Sequence, residues 1–459
     1  MFAPISKIPP EILALIPDFW DTRKRDQDTI ALTHVCRTWR EVFISRSSLW
    51  THFDCLDEEK TRTYLERSKS SPINLNLILA TSEGVLPCHP FFQIIPHATW
   101  RLESLLLKGT PENILPLTSR LSHPAPLLRR LSIFASRKSM PGSYLTLTPT
   151  LFNGDLSSLR TLHLESVRTE LSWRNMINLT SFTLHHTPPR TVSVGQFLDF
   201  FENSPYLEEV ELHSTTPTTG VRGGQLVLLA RLKSTEIHSC DPTSILLDHL
   251  LIPAGAKLEI GANPVNSSIR EYLPRSLDNL KIFSNFTVTK LHLDTYCPRM
   301  EFSGPNGQVE MSLGTSRDNP TGSVFEYLAE FDTSKTEQLE INGGYFLVGD
   351  PLYQALLPMK DLRTLTLSVC RHPDIFICAL QPATGSSEVM VCPKPEELVL
   401  VLHPHETMIH ITNMAVARAS RGEKLRTVRI VDGWSAANFD VSELRKHVWN
   451  VEYCPAFLL

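Results

Sequence analysis

The sequence lacks any uninterrupted apolar segment long enough to cross a bilayer, which needs about 20 mostly apolar residues. Residues Met1 to Pro10 lack the basic region, apolar core and small-residue cleavage site of a secretory signal. The nine cysteines are scattered, include no CxxC pair and are odd in number, which favours reduced thiols over a disulfide framework. We therefore expect a soluble protein of the cytoplasm or the nucleus, without a membrane partner.

Concentrated positive charge is also absent. The 44 Lys and Arg residues and 49 Asp and Glu residues give a formal net charge of -5. Nucleic acid is disfavoured as the main partner because phosphate binding needs clustered Lys and Arg.

Catalytic signatures are missing too. The sequence contains no Gly-x-Ser-x-Gly elbow, phosphate-binding loop or kinase signature, and Cys36 and Cys370 lie in no pattern typical of a nucleophile. We therefore expect a protein that is not an enzyme and needs no cofactor.

Two histidine-containing segments are candidates for metal ligands. His403-Pro404-His405-Glu406, with His410, does not have the helical His-Glu-x-x-His spacing, and Pro404 favours a loop. His185-His186, shortly before Pro188-Pro189, is typical of a strand end and a turn. The sequence therefore predicts no metal site.

The first fifty residues carry two apolar helical patterns. Ile8-Pro9-Pro10-Glu11-Ile12-Leu13 is a helix-start signal, since proline is tolerated in a first turn. Pro17 disfavours helix at Ile16, so the first helix should be short. Helical spacing then recurs through Leu32, Val35, Cys36, Trp39, Val42 and Phe43. A segment of fifty residues cannot bury this many large apolar side chains by itself. We therefore expect it to contact another surface, either a partner or the rest of this chain.

Three landmarks in this segment resemble an F-box: Ile8-Pro9-Pro10-Glu11-Ile12-Leu13, Val35-Cys36-Arg37-Thr38-Trp39-Arg40 and Ser48-Leu49-Trp50. Their order and spacing resemble those of F-box proteins with a leucine-rich-repeat-like domain, which are abundant in mushroom-forming fungi. The match covers about a tenth of the chain, and its connection from Pro17 to Asp28 is longer and more charged than in compact F-boxes. The resemblance implies a three-helix motif that docks on a Skp-family adaptor and, through it, on a cullin–RING ubiquitin ligase.

The same resemblance supplies candidate adaptor contacts. Docking of this kind lays an apolar helical face into a groove, where a few large anchors dominate the binding energy. We expect Ile16 and Val35 to pack inside the box itself. The candidate contacts are Ile8, Pro9, Ile12, Leu13, Ile16, Val35, Cys36, Trp39, Leu49 and Trp50.

The rest of the chain repeats one hexamer, Leu-x-x-Leu-x-Leu or a close variant. Clear copies begin at Leu102, Leu128, Leu159, Leu179, Leu207, Leu362 and Leu425, and weaker ones lie near Leu258, Leu280, Leu291 and Leu339. In each copy, alternating apolar positions should point inward from a short strand, and the first leucine should enter the core from the preceding turn. The stretch from Cys240 to Asn342 is the least repeat-like.

These patterns predict an α/β chain: a short N-terminal three-helix F-box over residues 1–55, a helical linker over 56–72, and an irregular leucine-rich-repeat-like solenoid over 73–459. An ordinary α/β domain with leucine-rich strands is the alternative, because helix-then-strand units also build doubly wound sheets. The hexamer and the absence of a phosphate-binding loop favour the solenoid.

Outward strand positions are the candidates for recognising a partner. They are Glu103, Arg129, Arg160, His163, Thr183, Glu209, Glu211, Arg363, Thr366, Arg426 and Arg429. The leading functional prediction is a substrate-recognition subunit of a Skp–cullin–F-box ubiquitin ligase that holds an unknown target protein. A leucine-rich-repeat scaffold or receptor outside any ligase is the alternative, and an unrecognised hydrolase or metal enzyme in the middle segment is a third hypothesis.

Overall fold

The computed structural model describes residues 8–16, 25–54, 57–79, 91–136, 144–170, 173–188, 192–220, 226–240, 243–262, 272–275, 277, 280–293, 298–313, 320–343, 350–368, 373–381, 392, 395–401, 407–432 and 441–455. The chain divides into two compact units, residues 1–223 and 224–459. The domain boundaries expected at residues 55 and 72 stay predictions.

The first unit alternates helices and strands. Its described helices are α1 (Pro10–Leu15), α2 (Arg25–Thr33), α3 (Arg37–Ser45), α4 (Glu58–Arg67), α5 (Phe91–Ile94), α6 (Pro111–Thr118) and α7 (Val194–Glu202). Its described strands are β1 (His52–Phe53), β2 (Ile73–Leu79), β3 (Leu102–Gly109), β4 (Arg130–Ala135), β5 (Leu145–Leu147), β6 (Thr161–Glu165), β7 (Val167–Thr169), β8 (Ser181–His185) and β9 (Glu209–His213). Short 3-10 turns cover Ser47–Trp50, Ile95–Arg101, Leu151–Gly154 and Trp173–Asn175.

The main sheet of the first unit is parallel throughout its described part. Its strand order is β1-β2-β3-β4-β6-β8-β9, so neighbours in the sheet follow one another closely along the chain. A separate parallel pair joins β5 and β7. Parallel pairing keeps equivalent strand positions side by side, so a residue type repeated in successive strands forms a row across the sheet.

The second unit has the same alternation. Its described helices are α8 (Thr243–Leu247), α9 (Pro320–Leu328), α10 (Asp350–Leu356), α11 (Pro373–Ala379), α12 (Thr407–Ser420) and α13 (Leu444–His447). Its described strands are β10 (Val227–Leu228), β11 (Ser234–His238), β12 (Leu250–Leu251), β13 (Lys257–Ala262), β14 (Val288–Leu293), β15 (Arg299–Gly304), β16 (Gly307–Leu313), β17 (Gln338–Gly343), β18 (Thr364–Ser368), β19 (Glu397–Val401), β20 (Thr427–Asp432) and β21 (Asn450–Pro455). A 3-10 turn covers Lys281–Phe283.

The main sheet of the second unit contains an antiparallel insertion. Its described order is β11-β13-β16-β15-β14-β17-β18-β19-β20-β21. Only β15 pairs antiparallel to its neighbours there, and Gly304 pairs with Gly307 across the Pro305-Asn306 turn. This hairpin lies inside the stretch from Cys240 to Asn342, and it explains why the hexamer fades there: a hairpin needs turn residues where a parallel repeat needs a helix or a long loop.

The predicted strand positions are confirmed for every clear copy of the hexamer, since β3, β4, β6, β8, β9, β18 and β20 each overlap one copy. In β6, Leu162 and Leu164 are fully buried, while the alternating residues Thr161, His163 and Glu165 are half-buried. The first leucine of that copy, Leu159, is also fully buried and precedes the strand. Burial of each leucine stabilises the fold by roughly 1.5–3 kcal/mol, so the pattern fixes which face meets the helices. Among the weaker copies, the one near Leu280 is wrong, because a 3-10 turn follows it.

The N-terminal segment is part of the first unit. Trp50 is 1% exposed, and its indole donates a hydrogen bond of 2.9 Å to the carbonyl of Phe43. Its ring packs edge-on against Tyr64 of α4, with centroids 5.0 Å apart. Directly after it, β1 pairs with β2 at the edge of the parallel sheet. Conversely, α1 has only six residues and leaves Ile12 53% exposed. The segment therefore completes its core with residues that follow it in the chain, and its helices do not form a self-contained three-helix box.

The predicted fold class, an F-box followed by an irregular leucine-rich-repeat-like solenoid, is wrong. The described strands form mostly parallel sheets with helices between the strands, and the α/β alternative describes them better. The physical reason is that Leu-x-x-Leu-x-Leu indicates a strand whose two leucines face the core, preceded by a turn whose leucine is also buried. Any parallel sheet with one face against helices needs that arrangement, so the hexamer does not discriminate between the two folds.

None of the helices within the described ranges combines the length and the apolar character needed to span a membrane.

Candidate functional site

Polar side chains form two rows across the parallel sheet of the first unit. Strand register places His163 beside Thr183, and Thr183 beside Glu211. The next outward row contains Glu165, His185 and His213, again in register. Alternation along each strand produces this arrangement, because the leucines between these residues point to the buried face.

The carboxylate of Glu211 lies between two imidazoles. Its Oε1 is 2.8 Å from Nε2 of His185 and 3.3 Å from Nε2 of His213. The rings of His185 and His213 are stacked, with centroids 4.4 Å apart and an interplanar angle of 23°. The hydroxyl of Thr183 donates to the other oxygen of Glu211 at 3.4 Å. Hydrogen bonds to Thr183 and His185 therefore hold this carboxylate in place, with His213 close by.

His163 occupies a more apolar position in the same cluster. Its ring centroid lies 4.5 Å from that of Phe134 and 5.2 Å from that of His185, which it meets edge-on. Its Nε2 is buried and has no hydrogen-bond partner among the described residues. Desolvation lowers the pKa of His163, and the neighbouring His185 lowers it further, against the opposing effect of Glu211 and Glu165. The neutral imidazole, which can bind a metal ion, is therefore favoured.

These residues include groups with metal-ligand chemistry. His163, Glu165 and His185 form one such trio, and His185, Glu211 and His213 form another. Within each trio, one ligand atom per residue lies within 4.8 Å of the ligand atoms of the other two. Both trios use His185.

The sheet face of the second unit is dominated by ion pairs. Glu310 accepts from Lys257 at 3.1 Å and from Arg299 at 3.0 Å, and Lys257 also lies 3.0 Å from Glu259. Burial by itself lowers the pKa of Lys257, but its hydrogen bonds to Glu259 and Glu310 outweigh that effect and raise it. Further along the sheet, Arg429 contacts Glu397 at 3.5 Å and Glu452 at 2.8 Å.

The predicted recognition residues fall into several groups. Within the first unit, Arg129 and Arg160 line one cavity of about 320 Å³ together with Asn178, whereas His163, Thr183 and Glu211 form the row described above. In the second unit, Arg363 and Arg426 both approach Glu396, at 3.7 and 3.8 Å. Glu103 lies 4.0 Å from Arg129, and Glu209, Thr366 and Arg429 lie on β9, β18 and β20.

The predicted adaptor contacts divide by exposure. Pro9, Ile12, Val35 and Cys36 are exposed, Ile8 and Ile16 are half-buried, and Leu13, Trp39, Leu49 and Trp50 are buried. The expectation that Val35 packs inside the segment is wrong, because 51% of its surface is exposed. The largest predicted anchors, Trp39 and Trp50, are instead core residues, and Trp39 packs edge-on against Phe43 with centroids 5.5 Å apart.

The histidine cluster was missed by the sequence analysis, which read His185-His186 only as a strand end. The usable signal was a histidine directly after the last leucine of two successive hexamers, Leu184-His185 and Leu212-His213. The segment of His403, His405 and Glu406 lies outside the described residues, while His410 lies in α12 with its Nδ1 3.8 Å from Sγ of Cys378. Cys370 also lies outside them.

No protein-family model matches the sequence, and no curated protein matches it.

Proposed function

We propose that this chain is a protein-recognition subunit that holds a target protein on the polar faces of its parallel sheets. The observation that carries the proposal is the in-register row of His163, Thr183 and Glu211, in which His163 and Glu211 are half-buried and Thr183 is buried between them. A preorganised polar surface loses little conformational entropy when a partner binds, which favours affinity. The charged side chains on the sheet of the second unit offer further polar contacts to a target.

The finer proposal is that the chain serves a ubiquitin ligase in the cytoplasm or the nucleus, docking on a Skp-family adaptor and through it on a cullin–RING ligase. Its support is a small group of exposed apolar side chains near the N-terminus: Ile12, Leu15 and Val35 are 53%, 49% and 51% exposed. Exposed apolar side chains clustered in one segment are typical of a protein-contact surface. The ligase would then supply the chemistry, and this chain would supply proximity to the target.

The test of adaptor docking is co-purification of the intact chain with a purified Skp-family adaptor. The informative variant is Ile12→Asp with Val35→Asp, because both side chains are exposed and their replacement should leave the core intact. We expect the wild-type chain to form a stable complex that this variant loses. Leu115→Asp is the matched control, since Leu115 on α6 is 47% exposed and lies outside the N-terminal segment.

Absence of a complex with the wild-type chain at micromolar concentrations would contradict the ligase proposal. So would a complex that Ile12→Asp with Val35→Asp leaves unchanged.

Target binding is tested separately by charge reversal in the cavity of the first unit. Arg129→Glu with Arg160→Glu should abolish capture of proteins that the wild-type chain retains, since both guanidinium groups line that cavity. Arg168→Glu is the control, because Arg168 is exposed on β7, outside the main sheet. Equal capture by all three proteins would show that the cavity takes no part in recognition.

A scaffold or receptor that acts outside any ligase is the second candidate. One observation favours it: the largest predicted adaptor anchors, Trp39, Leu49 and Trp50, are buried within the chain itself. This candidate keeps target binding and predicts no adaptor complex, so the co-purification experiment separates the two.

A further inference from the structure

Three side chains on adjacent strands of the first unit meet on the polar face of the sheet. Parallel pairing places Glu165 of β6 directly beside His185 of β8, and His163 two residues before Glu165 on the same face. One ligand atom of each lies within 4.8 Å of those of the other two. Two imidazoles and one carboxylate are a ligand set that suits zinc and its transition-metal neighbours, whereas magnesium and calcium prefer oxygen ligands.

The relative orientation of the two imidazoles fits a shared ion. The ring centroids of His163 and His185 are 5.2 Å apart, with an interplanar angle of 64°. Two imidazoles that bind one zinc ion tetrahedrally, with Zn–N distances of about 2.0–2.1 Å, have centroids roughly 5 Å apart. His185 and His213 are stacked, with nearly parallel ring planes at an interplanar angle of only 23°, an orientation that suits two ligands of one tetrahedral ion less well. The geometry therefore favours the trio containing His163.

The environment of His163 is an independent indication of a ligand. Its buried Nε2 has no hydrogen-bond partner within the described ranges. A buried polar atom without a partner costs about 1–3 kcal/mol, and a bound ion would remove that cost.

Glu211 lies where a supporting residue of a metal site is normally found. Its Oε1 is 2.8 Å from Nε2 of His185. A metal-bound histidine commonly donates its other ring N–H to a carboxylate, which fixes the tautomer and the ring orientation. With Nε2 donating to Glu211, the lone pair of His185 is on Nδ1.

We propose that His163, Glu165 and His185 bind one divalent transition-metal ion of the zinc class, with Glu211 as a positioning residue for His185. Three protein ligands leave a fourth position open. Because these residues are half-buried, water or a donor group from a bound protein can reach that position. The site would thus lie on the same sheet face as the proposed target-binding surface, but its binding of the ion does not depend on that function.

The experiment is isothermal titration of the chelator-treated full-length chain with zinc chloride at pH 7.5, repeated with cobalt chloride and monitored by visible absorption. We expect one equivalent of zinc and the absorption bands of four-coordinate cobalt. His163→Ala and His185→Ala should each weaken zinc binding by at least about 100-fold, because they reduce three protein ligands to two. Glu211→Gln should weaken it by roughly 10- to 100-fold through loss of the carboxylate behind His185.

His97→Ala is the matched control, since His97 is an exposed histidine of the same unit and lies outside the trio. It should bind zinc as the wild-type chain does. His185→Gln, which keeps a polar side chain of similar length, should also lose zinc while unfolding at the wild-type temperature. That result would separate loss of a ligand from loss of the fold.

Three results would overturn the proposal. The first is no zinc binding by the wild-type chain at 1 mM zinc, a concentration of about 10³ times a micromolar dissociation constant. The second is wild-type affinity in His163→Ala, together with loss of binding in a His213→Ala variant, which would assign the ion to the stacked pair. The third is equal binding of magnesium and zinc.

Discussion

Arg418 shows how a charged side chain can be buried by satisfying backbone groups. Its guanidinium is fully buried on α12 and donates to the carbonyls of Leu380 at 3.0 Å and Cys392 at 3.1 Å, with Glu423 3.5 Å away. Desolvation lowers its pKa, while Glu423 and Cys392 raise it. This arginine therefore connects helix α12 to Leu380, directly after α11, and to Cys392.

Replacement of Arg418 by leucine should lower the free energy of unfolding by about 3–5 kcal/mol, because two buried carbonyls lose their donors and Glu423 loses its partner. Urea unfolding followed by circular dichroism measures the effect. Arg445→Leu is the control, since Arg445 is exposed on α13, and it should change stability by less than about 0.5 kcal/mol. A loss for Arg418→Leu no larger than for the control would show that the buried contacts contribute nothing net.

Cys392 provides a second prediction at the scale of one residue. It is fully buried, and desolvation raises its pKa to about 12 against a small opposing effect of Arg418. Since the thiolate is the reactive form, iodoacetamide at pH 8 should modify exposed Cys36 long before Cys392, as peptide mass spectrometry would reveal. Equal modification rates in the folded chain would contradict this burial.

The same thiol links stability to pH. The folded state holds the proton of Cys392 up to a pH of about 12, whereas the unfolded chain releases it near the ordinary thiol pKa of 9.0. The unfolded state therefore binds fewer protons between these values, and the stability contributed by this group, present below that lower pKa, is lost as pH rises through the window.

Among the elements, α7 is the helix that the sequence describes most fully. Phe197, Leu198, Phe200 and Phe201 are buried, and Phe197 and Phe200 pack against Phe182 of β8. The helix begins with a capping box: the hydroxyl of Ser193 accepts from the backbone of Gln196 at 3.1 Å, and the Gln196 side chain accepts from the backbone of Ser193 at 2.8 Å. Both signals are local, so they can be read before the fold is known.

Loss of this cap should be measurable. Ser193→Ala removes the acceptor for the Gln196 N–H and should lower the free energy of unfolding by about 1 kcal/mol. Urea unfolding provides the value, with Ser48→Ala, an exposed serine outside a helix N-cap, as the control. A cost of zero for Ser193→Ala would mean that water replaces the cap completely.

At the scale of the whole molecule, the N-terminal segment is an integral part of the first compact unit. Residues 1–223 form one compact unit, and Trp50 ties the segment to α4 through Tyr64 and through the Arg67 guanidinium, 4.2 Å from the Trp50 ring centroid. The short spacing of the landmarks within residues 8–50 gave no sign of these contacts. Their partners lie later in the chain, beyond the range over which the helical pattern was read.

Trp50→Ala tests this integration. Because the side chain is 1% exposed, its removal should lower the free energy of unfolding by about 3–5 kcal/mol and shift the unfolding of the first unit as a whole. Trp100→Ala is the control, since Trp100 is 52% exposed in the same unit. Hydrogen exchange of the β3 and β4 amides is the readout: unchanged protection there in Trp50→Ala would mean that the segment folds independently of the sheet.

The sequence by itself determined the strands and their buried faces, since alternation of apolar side chains in hexamers such as Leu162-His163-Leu164 is a local property of the backbone. It also determined a helix between residues 56 and 72, where α4 begins with the Asp57 cap and an acidic first turn. It did not distinguish a solenoid from the observed mostly parallel sheets, because both need the same buried hexamer. Only tertiary structure decided that Trp39 and Trp50 lie in the core while Ile12 and Val35 remain exposed. Tertiary structure likewise brought His163, Glu165, His185 and Glu211 together, since strand register across separate hexamers sets those distances and no local pattern records it.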